Sequence, residues 1–160
     1  MEVTIRPLQE KDAYVSVLWR NDPDVFKYTG NTYSNEVTIE SELAWIRNVI
    51  KNNEDGTEYR CAIEADGIYV GNIYLTHLAT GVGHYHIFIG NKDYWGKGIA
   101  KKASLLIISY GLKKLKLQGI ELSVRPENVT AYNLYKKLGF VEIGRNEKYI
   151  KMKFCGAFDI

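Results

Sequence analysis

Between positions 87 and 100 the chain reads Ile87-Phe88-Ile89-Gly90-Asn91-Lys92-Asp93-Tyr94-Trp95-Gly96-Lys97-Gly98-Ile99-Ala100. A strand passes through a short polar loop into Gly-Lys-Gly, and a long helix starts at once. No other segment restricts the fold so strongly, because a strand joined this tightly to a helix is a unit of α/β architecture. Amide groups at a helix start have no internal partner and point outward, and glycines let another group come close to the main chain. The loop is therefore suited to an anion. Taken alone, Gly-x-Gly serves equally well as a plain tight turn. Lys97, Lys101 and Lys102 add a second signal, since the macrodipole disfavours cations in the first turns of a helix. A bound pyrophosphate would turn that misfit into attraction, although Lys102 by itself also reads as a solvated side chain.

Two familiar phosphate loops do not fit. A Walker loop has four residues between its first Gly and Gly-Lys-Ser/Thr. Here five residues separate Gly90 from Gly96, and Gly98 stands where the magnesium-binding hydroxyl would be. A dinucleotide fingerprint needs Gly at position 101, which is Lys101, and belongs after the first strand instead of past mid-chain.

The flanking pattern alternates strand and helix within 160 residues, a length expected for one domain over the whole chain. Val3 to Leu8 reads as a strand, and Asp12 is placed to cap a short helix towards Trp19. Leu43, Ile46, Val49 and Ile50 give a second helix from a cap at Thr38 to about Asn52. Tyr59 to Glu64 and Ile68 to Leu75 form a hairpin across Asp66-Gly67, and His84 to Ile89 extends it to an antiparallel meander. A buried helix follows from Ile99 to Leu115, then a strand from Ile120 to Val124 and a helix from Asn128 to Leu138 stopped by Gly139. Val141 to Gly144 and Lys148 to Phe154 complete a mixed sheet of about seven strands with about four helices.

Composition removes several functions. With 21 Lys and Arg against 19 Asp and Glu, a net charge of +2 provides no field for a nucleic-acid backbone. No apolar run approaches the roughly 20 residues of a membrane span, and the start of the chain lacks a signal-peptide pattern. The expectation is a soluble cytoplasmic protein with neither nucleic acid nor membrane as partner. Cys61 and Cys155 form no CxxC and have no clustered histidines, so no metal is expected.

The glycine loop resembles motif A of the Gcn5-related N-acetyltransferases (GNAT), Arg/Gln-x-x-Gly-x-Gly/Ala, which cradles the pyrophosphate of acetyl-CoA. Trp95-Gly96-Lys97-Gly98-Ile99-Ala100 fills it. Trp95 stands at the start of this run, a substitution familiar in the ribosomal-protein and spermidine acetyltransferase branch. Asn128, Ala131 and Leu134-Tyr135-Lys136-Lys137-Leu138-Gly139-Phe140 resemble motif B at its own spacing. Ile5-Arg6-Pro7-Leu8 with Asp12 also resembles the opening of that branch. The resemblance implies a GNAT fold in which the fourth and fifth strands splay apart after a bulge. The pantetheine arm would lie along Phe88 and Ile89, with Asn128 touching the cofactor.

Acetyl transfer from a thioester to an amine needs a neutral nucleophile, a stabilised oxyanion and a proton for the departing thiolate. The resemblance assigns the oxyanion to a backbone N–H near Ile89 and the proton to Tyr135. A phenol with a pKa of about 10 can donate to a thiolate whose thiol lies near 8.5. Ala131, Leu134, Tyr135 and Leu138 also share one helical stripe, so an aromatic there reads equally as core. Asn128 likewise has a plain reading as helix N-cap. For the general base His84 is the candidate, with His86 as the alternative and a water chain as the default. In an extended strand His84, His86 and Phe88 share one face, opposite Tyr85, Ile87 and Ile89.

By the same resemblance the acceptor site would be built from Trp19-Arg20-Asn21-Asp22-Pro23 through Tyr28 to Tyr33. The expected partners are acetyl-CoA and an amine: an amino sugar, a polyamine or a protein N-terminus. The alternatives are a non-catalytic acyl-CoA sensor and an acyltransferase that uses another acyl-CoA. The oligomeric state, including a homodimer, stays open.

Overall fold

The computed structural model describes residues 1–25 and 36–156. The chain order is β1 (Val3–Pro7), α1 (Ala13–Arg20), α2 (Ile39–Asp55), β2 (Tyr59–Ala65), β3 (Ile68–Thr76), β4 (Val82–Ile89), α3 (Ile99–Lys113), β5 (Gly119–Val124), α4 (Val129–Leu138), β6 (Phe140–Arg145) and β7 (Ile150–Phe154). One sheet has the order β1-β2-β3-β4-β5-β7-β6. Its neighbours are antiparallel except β4 and β5, which run parallel. The α/β fold, the strand count and the splay between the fourth and fifth strands agree with the sequence.

Strand alternation divides the apolar side chains between two helical layers. Ile63, Ile73, Tyr85, Ile87 and Ile89 face α3 and α4, against Ile99, Ala103, Ile107, Tyr135 and Leu138. Ala62, Tyr74 and Phe88 face the other layer, against Ala13, Trp45, Ile46 and Val49. The expected division of β4 therefore holds.

Local signals explain most boundaries. Thr38 caps α2 by accepting from the Ser41 N–H at 3.1 Å, and Gly56 ends that helix at φ 75°. The helix runs past the expected end at Asn52 to Asp55 because that left-handed glycine supplies the stop. Asp66 and Gly67 both have positive φ, as a two-residue hairpin requires. Asp12 departs from expectation: it makes no side-chain cap on α1. Its buried carboxylate instead takes both Arg6 Nη groups at 2.8 Å and the Gln9 N–H at 2.8 Å. A forked charge-assisted pair outcompetes one capping bond.

Candidate active site

The parallel pairing of β4 with β5 is confined to Val82↔Gly119, Gly83↔Ile120 and His84↔Glu121. Beyond it β4 runs on to Ile89 and stays paired with β3, while β5 stays paired with β7 to Val124. The two strands part, and the opening lies at their carboxyl ends. The bulge implied in β4 does not interrupt its register with β3, which is continuous from Gly71↔Ile89 to Thr76↔His84. Crowding at the parted end falls on Gly71, where a Cβ would stand 2.4 Å from the Phe88 carbonyl oxygen.

A groove of about 1070 Å³ occupies the opening. One part of its wall is Trp95 through Lys101 with Ser123, Arg125, Asn128 and Tyr135, and another is Arg20, Trp45, Arg60, Tyr74, His86 and Phe88. Among the expected cofactor residues, Phe88, Ile89, Trp95, Gly96, Lys97, Gly98, Ile99, Ala100, Asn128 and Tyr135 all line it. His84 does not.

The loop takes its shape from Gly96 and Gly98, at φ 74° and 76°. A Cβ at either position would meet nothing within 4 Å, so the requirement is conformational and the space above is open. The first main-chain bond into α3 runs from the Lys102 N–H to the Gly98 carbonyl at 3.3 Å. The N–H groups of Gly96 through Lys101 have no acceptor among the described residues. Lys97 and Lys101 join them on the wall, whereas Lys102 turns away to the Met1 carbonyl at 3.2 Å. Trp95 donates its indole N–H to the Ile89 carbonyl at 2.8 Å.

The underside of the loop is tied down by a pair absent from the sequence reading. The Tyr85 hydroxyl lies 2.6 Å from Ser104 Oγ, which itself donates to the Ala100 carbonyl at 2.6 Å. A serine at mid-helix between aliphatic neighbours was the available signal, because a buried hydroxyl requires a partner.

Tyr135 is 9% exposed and meets Tyr85 edge to face, with centroids 5.6 Å apart. Burial pushes its pKa up to about 12. Its hydroxyl has no hydrogen-bond partner among the described residues. The residue is thus both part of the core and part of the groove wall. Asn128 caps α4, its Oδ1 accepting from the Ala131 N–H at 3.3 Å, and lines the groove as well.

The histidines occupy different places. His84 lies where β4 and β5 are still paired, lining a small cavity of about 70 Å³ with Glu121 and Lys151, which shares His86 and Ser123 with the groove. Its ring is 4.3 Å from that of His77, and desolvation together with His77 lowers its pKa. His86 reaches the main groove, open to solvent along it but crowded by protein elsewhere. Desolvation, then the charge of Arg60, lowers its pKa to about 4.

Trp19 is buried against Tyr69 at 4.7 Å and Phe88 at 6.1 Å and does not itself line the groove. Gly90 is required beneath it, since a Cβ would come within 2.0 Å of the indole. Arg20 binds the buried Glu42 at 3.0 Å, and Glu42 also accepts from Ser16 at 2.6 Å. Tyr28 to Tyr33, expected to continue the acceptor site, lie outside the described residues. Among the described residues no His, Cys, Asp and Glu group is arranged to hold a metal ion, and no helix is long and apolar enough to cross a membrane.

Comparison with known proteins agrees with this architecture. Residues 2–141 match the family described as Acetyltransferase (GNAT) domain, and the chain belongs to that family. It is by class an N-acetyltransferase. It is 32% identical over 144 residues to the spermidine N(1)-acetyltransferase of Escherichia coli (strain K12), covering 86% of this chain and 72% of that protein. The spermidine N-acetyltransferase of Vibrio cholerae, solved with CoA and spermine, superposes with a TM-score of 0.81 at 25% identity, covering 95% of this chain and 94% of that one. The ribosomal-protein-S5-alanine acetyltransferase of Vibrio fischeri shares the fold, with a TM-score of 0.84 at 17% identity over 96% of this chain and 92% of that one.

Proposed function

We propose that this chain transfers the acetyl group of acetyl-CoA to a primary amine by direct attack on the thioester. The observation that carries the reading is the run of unpartnered N–H groups from Gly96 to Lys101, opening into the gap between β4 and β5 beside Tyr135. Those amides, with Lys97 and Lys101, hold the pyrophosphate. The Gly90 N–H donates to the Val70 carbonyl at 2.9 Å, so alternation turns the main chain of Ile87 and Ile89 to the parted edge. The pantetheine arm pairs with that edge, and the Ile89 N–H faces the thioester oxygen.

The amine nitrogen, unprotonated, attacks the thioester carbon, and the oxygen takes up the charge. When the tetrahedral adduct collapses, the C–S bond breaks and the sulfur leaves as thiolate, taking a proton from the Tyr135 hydroxyl. With its pKa raised, Tyr135 is fully protonated at neutral pH and gives up its proton only as the sulfur departs. The nitrogen sheds its proton to water beside His86. A His86 with so low a pKa accepts a hydrogen bond from the amine but is a poor store for the proton. His84, facing the smaller cavity, is a packing residue in this scheme.

The test is free-thiol release from acetyl-CoA with a panel of amines, alongside calorimetric CoA binding. Amine-dependent thiol release is expected. Tight CoA binding without release for any amine would leave a sensor domain in its place.

A further inference from the structure

We propose that the amine acceptor is a small molecule bearing an anionic group, phosphate or carboxylate, held by Arg60 with Arg20 behind it, and that polyamines are poor acceptors. This rests on the acyl-transfer reading of the groove and assigns its substrate class.

Pairing places Arg60 of β2 opposite Tyr74 of β3, and Tyr74 opposite His86 of β4, so the three form one row across the sheet. All three line the groove. The Arg60 guanidinium carbon stands 4.4 Å from the Tyr74 ring centroid, and that of Arg20 stands 4.1 Å from the ring of Trp45. Aromatic faces hold both guanidinium groups in place. A planar, pre-set fork suits carboxylate and phosphate oxygens.

Both arginines have buried or half-buried carboxylate partners. Glu58 takes Arg60 Nη2 at 2.9 Å and an Asn52 amide hydrogen at 3.0 Å, and Glu42 takes Arg20 and Ser16. Neither glutamate lines the groove. Among the described lining residues the one carboxylate is Asp24, which shares Lys92 with Asp22 at 2.9 and 2.8 Å. A polyamine that places a second ammonium along the row of Arg60, Tyr74 and His86 meets a guanidinium there, and Asp24 is already bound to Lys92. Like charges brought together in this way reject a ligand, while an anionic group gains.

The experiment compares thiol release for spermidine, glucosamine, glucosamine 6-phosphate, a nucleoside-diphosphate-linked amino sugar and a carboxylated amine, with CoA binding measured in parallel. At least one anionic amine is expected to exceed spermidine and glucosamine in kcat/KM by about tenfold or more. The ranking of phosphate, diphosphate and carboxylate then identifies the source of the anion. Arg60→Gln should raise KM for that acceptor about tenfold, and Arg60→Lys should restore part of the loss. Should Arg60→Gln fail to fold, the wild type still decides: between about 0.05 and 0.5 M salt, KM should rise for the anionic amine and not for glucosamine. Preference for spermidine or glucosamine with CoA binding intact would overturn the proposal alone. Loss of both CoA binding and thiol release would overturn the acyl-transfer reading beneath it.

Discussion

The indole Nε1 of Trp95 donates to the carbonyl of Ile89 at 2.8 Å, so the first residue of the glycine loop is fastened to the end of β4. The ring is 45% exposed, unlike Trp19 at 7%. A coenzyme lying along Ile89 would cover that ring. Titration with CoA should therefore shift tryptophan emission to the blue, and Trp95→Phe should remove most of the shift. Loss of one hydrogen bond, about 1 kcal/mol, should weaken CoA binding roughly fivefold in that variant. A full-sized shift in Trp95→Phe would place the ligand elsewhere.

Tyr135→Phe retains the ring that packs on Tyr85 and Phe140 and deletes only the hydroxyl. Its melting temperature should stay close to that of the wild type. Turnover should fall on the order of 10²-fold, while KM for acetyl-CoA changes by no more than about threefold. Steady-state kinetics with a saturating amine would check this. Wild-type turnover in the variant would remove Tyr135 from the mechanism.

Local signals carried the loop, Tyr135 and Asn128, because they sit in short motifs whose geometry is fixed by neighbours in sequence. Arg20 fell within the expected acceptor segment, but Arg60 was not legible, and the reason is a register shift. From the Asp66-Gly67 turn, pairing begins Ala65↔Ile68 and Glu64↔Tyr69, which extrapolates to Arg60 opposite Ile73. The irregularity between Ile63 and Glu64 moves the ladder by one, so Arg60 faces Tyr74. A one-residue slip changes which side chains share a face, and nothing in Cys61-Ala62-Ile63-Glu64 announces it. The placement of His84 was hidden for a similar reason: the number of paired residues between β4 and β5 depends on long-range packing. Sequence alternation gave its face but not the point where the strands part.

Gly98 stands at φ 76° with open space above it, which separates two effects of substitution. Gly98→Asn tolerates the left-handed conformation and should retain much of the CoA affinity. Gly98→Glu adds strain of about 1–2 kcal/mol and sets a carboxylate among the outward N–H groups. Calorimetry should then show no CoA binding, with a fold intact by circular dichroism. Tight binding by Gly98→Glu would refute the pyrophosphate assignment.

Acid should weaken the fold through the same row of residues that lines the groove. Desolvation, Arg60, His84 and His77 depress the pKa of His86 to about 4, against the opposing pull of Glu58. His84 is lowered as well. Unfolded, both imidazoles return to about 6.5. Between those values the unfolded chain binds more protons than the folded one, so stability is complete above about pH 6.5 and is lost as pH falls towards 4. Scanning calorimetry from neutral pH down to about pH 5 should show a falling melting temperature, with a shallower slope in His86→Gln because one protonating site is gone. Carboxylates such as Glu58, whose pKa is lowered chiefly by Arg60 and Asn52 against desolvation, enter only at lower pH and leave this window to the histidines. Parallel slopes for the two proteins would mean that His86 is solvated as in an unfolded chain and that Arg60 exerts no field on it.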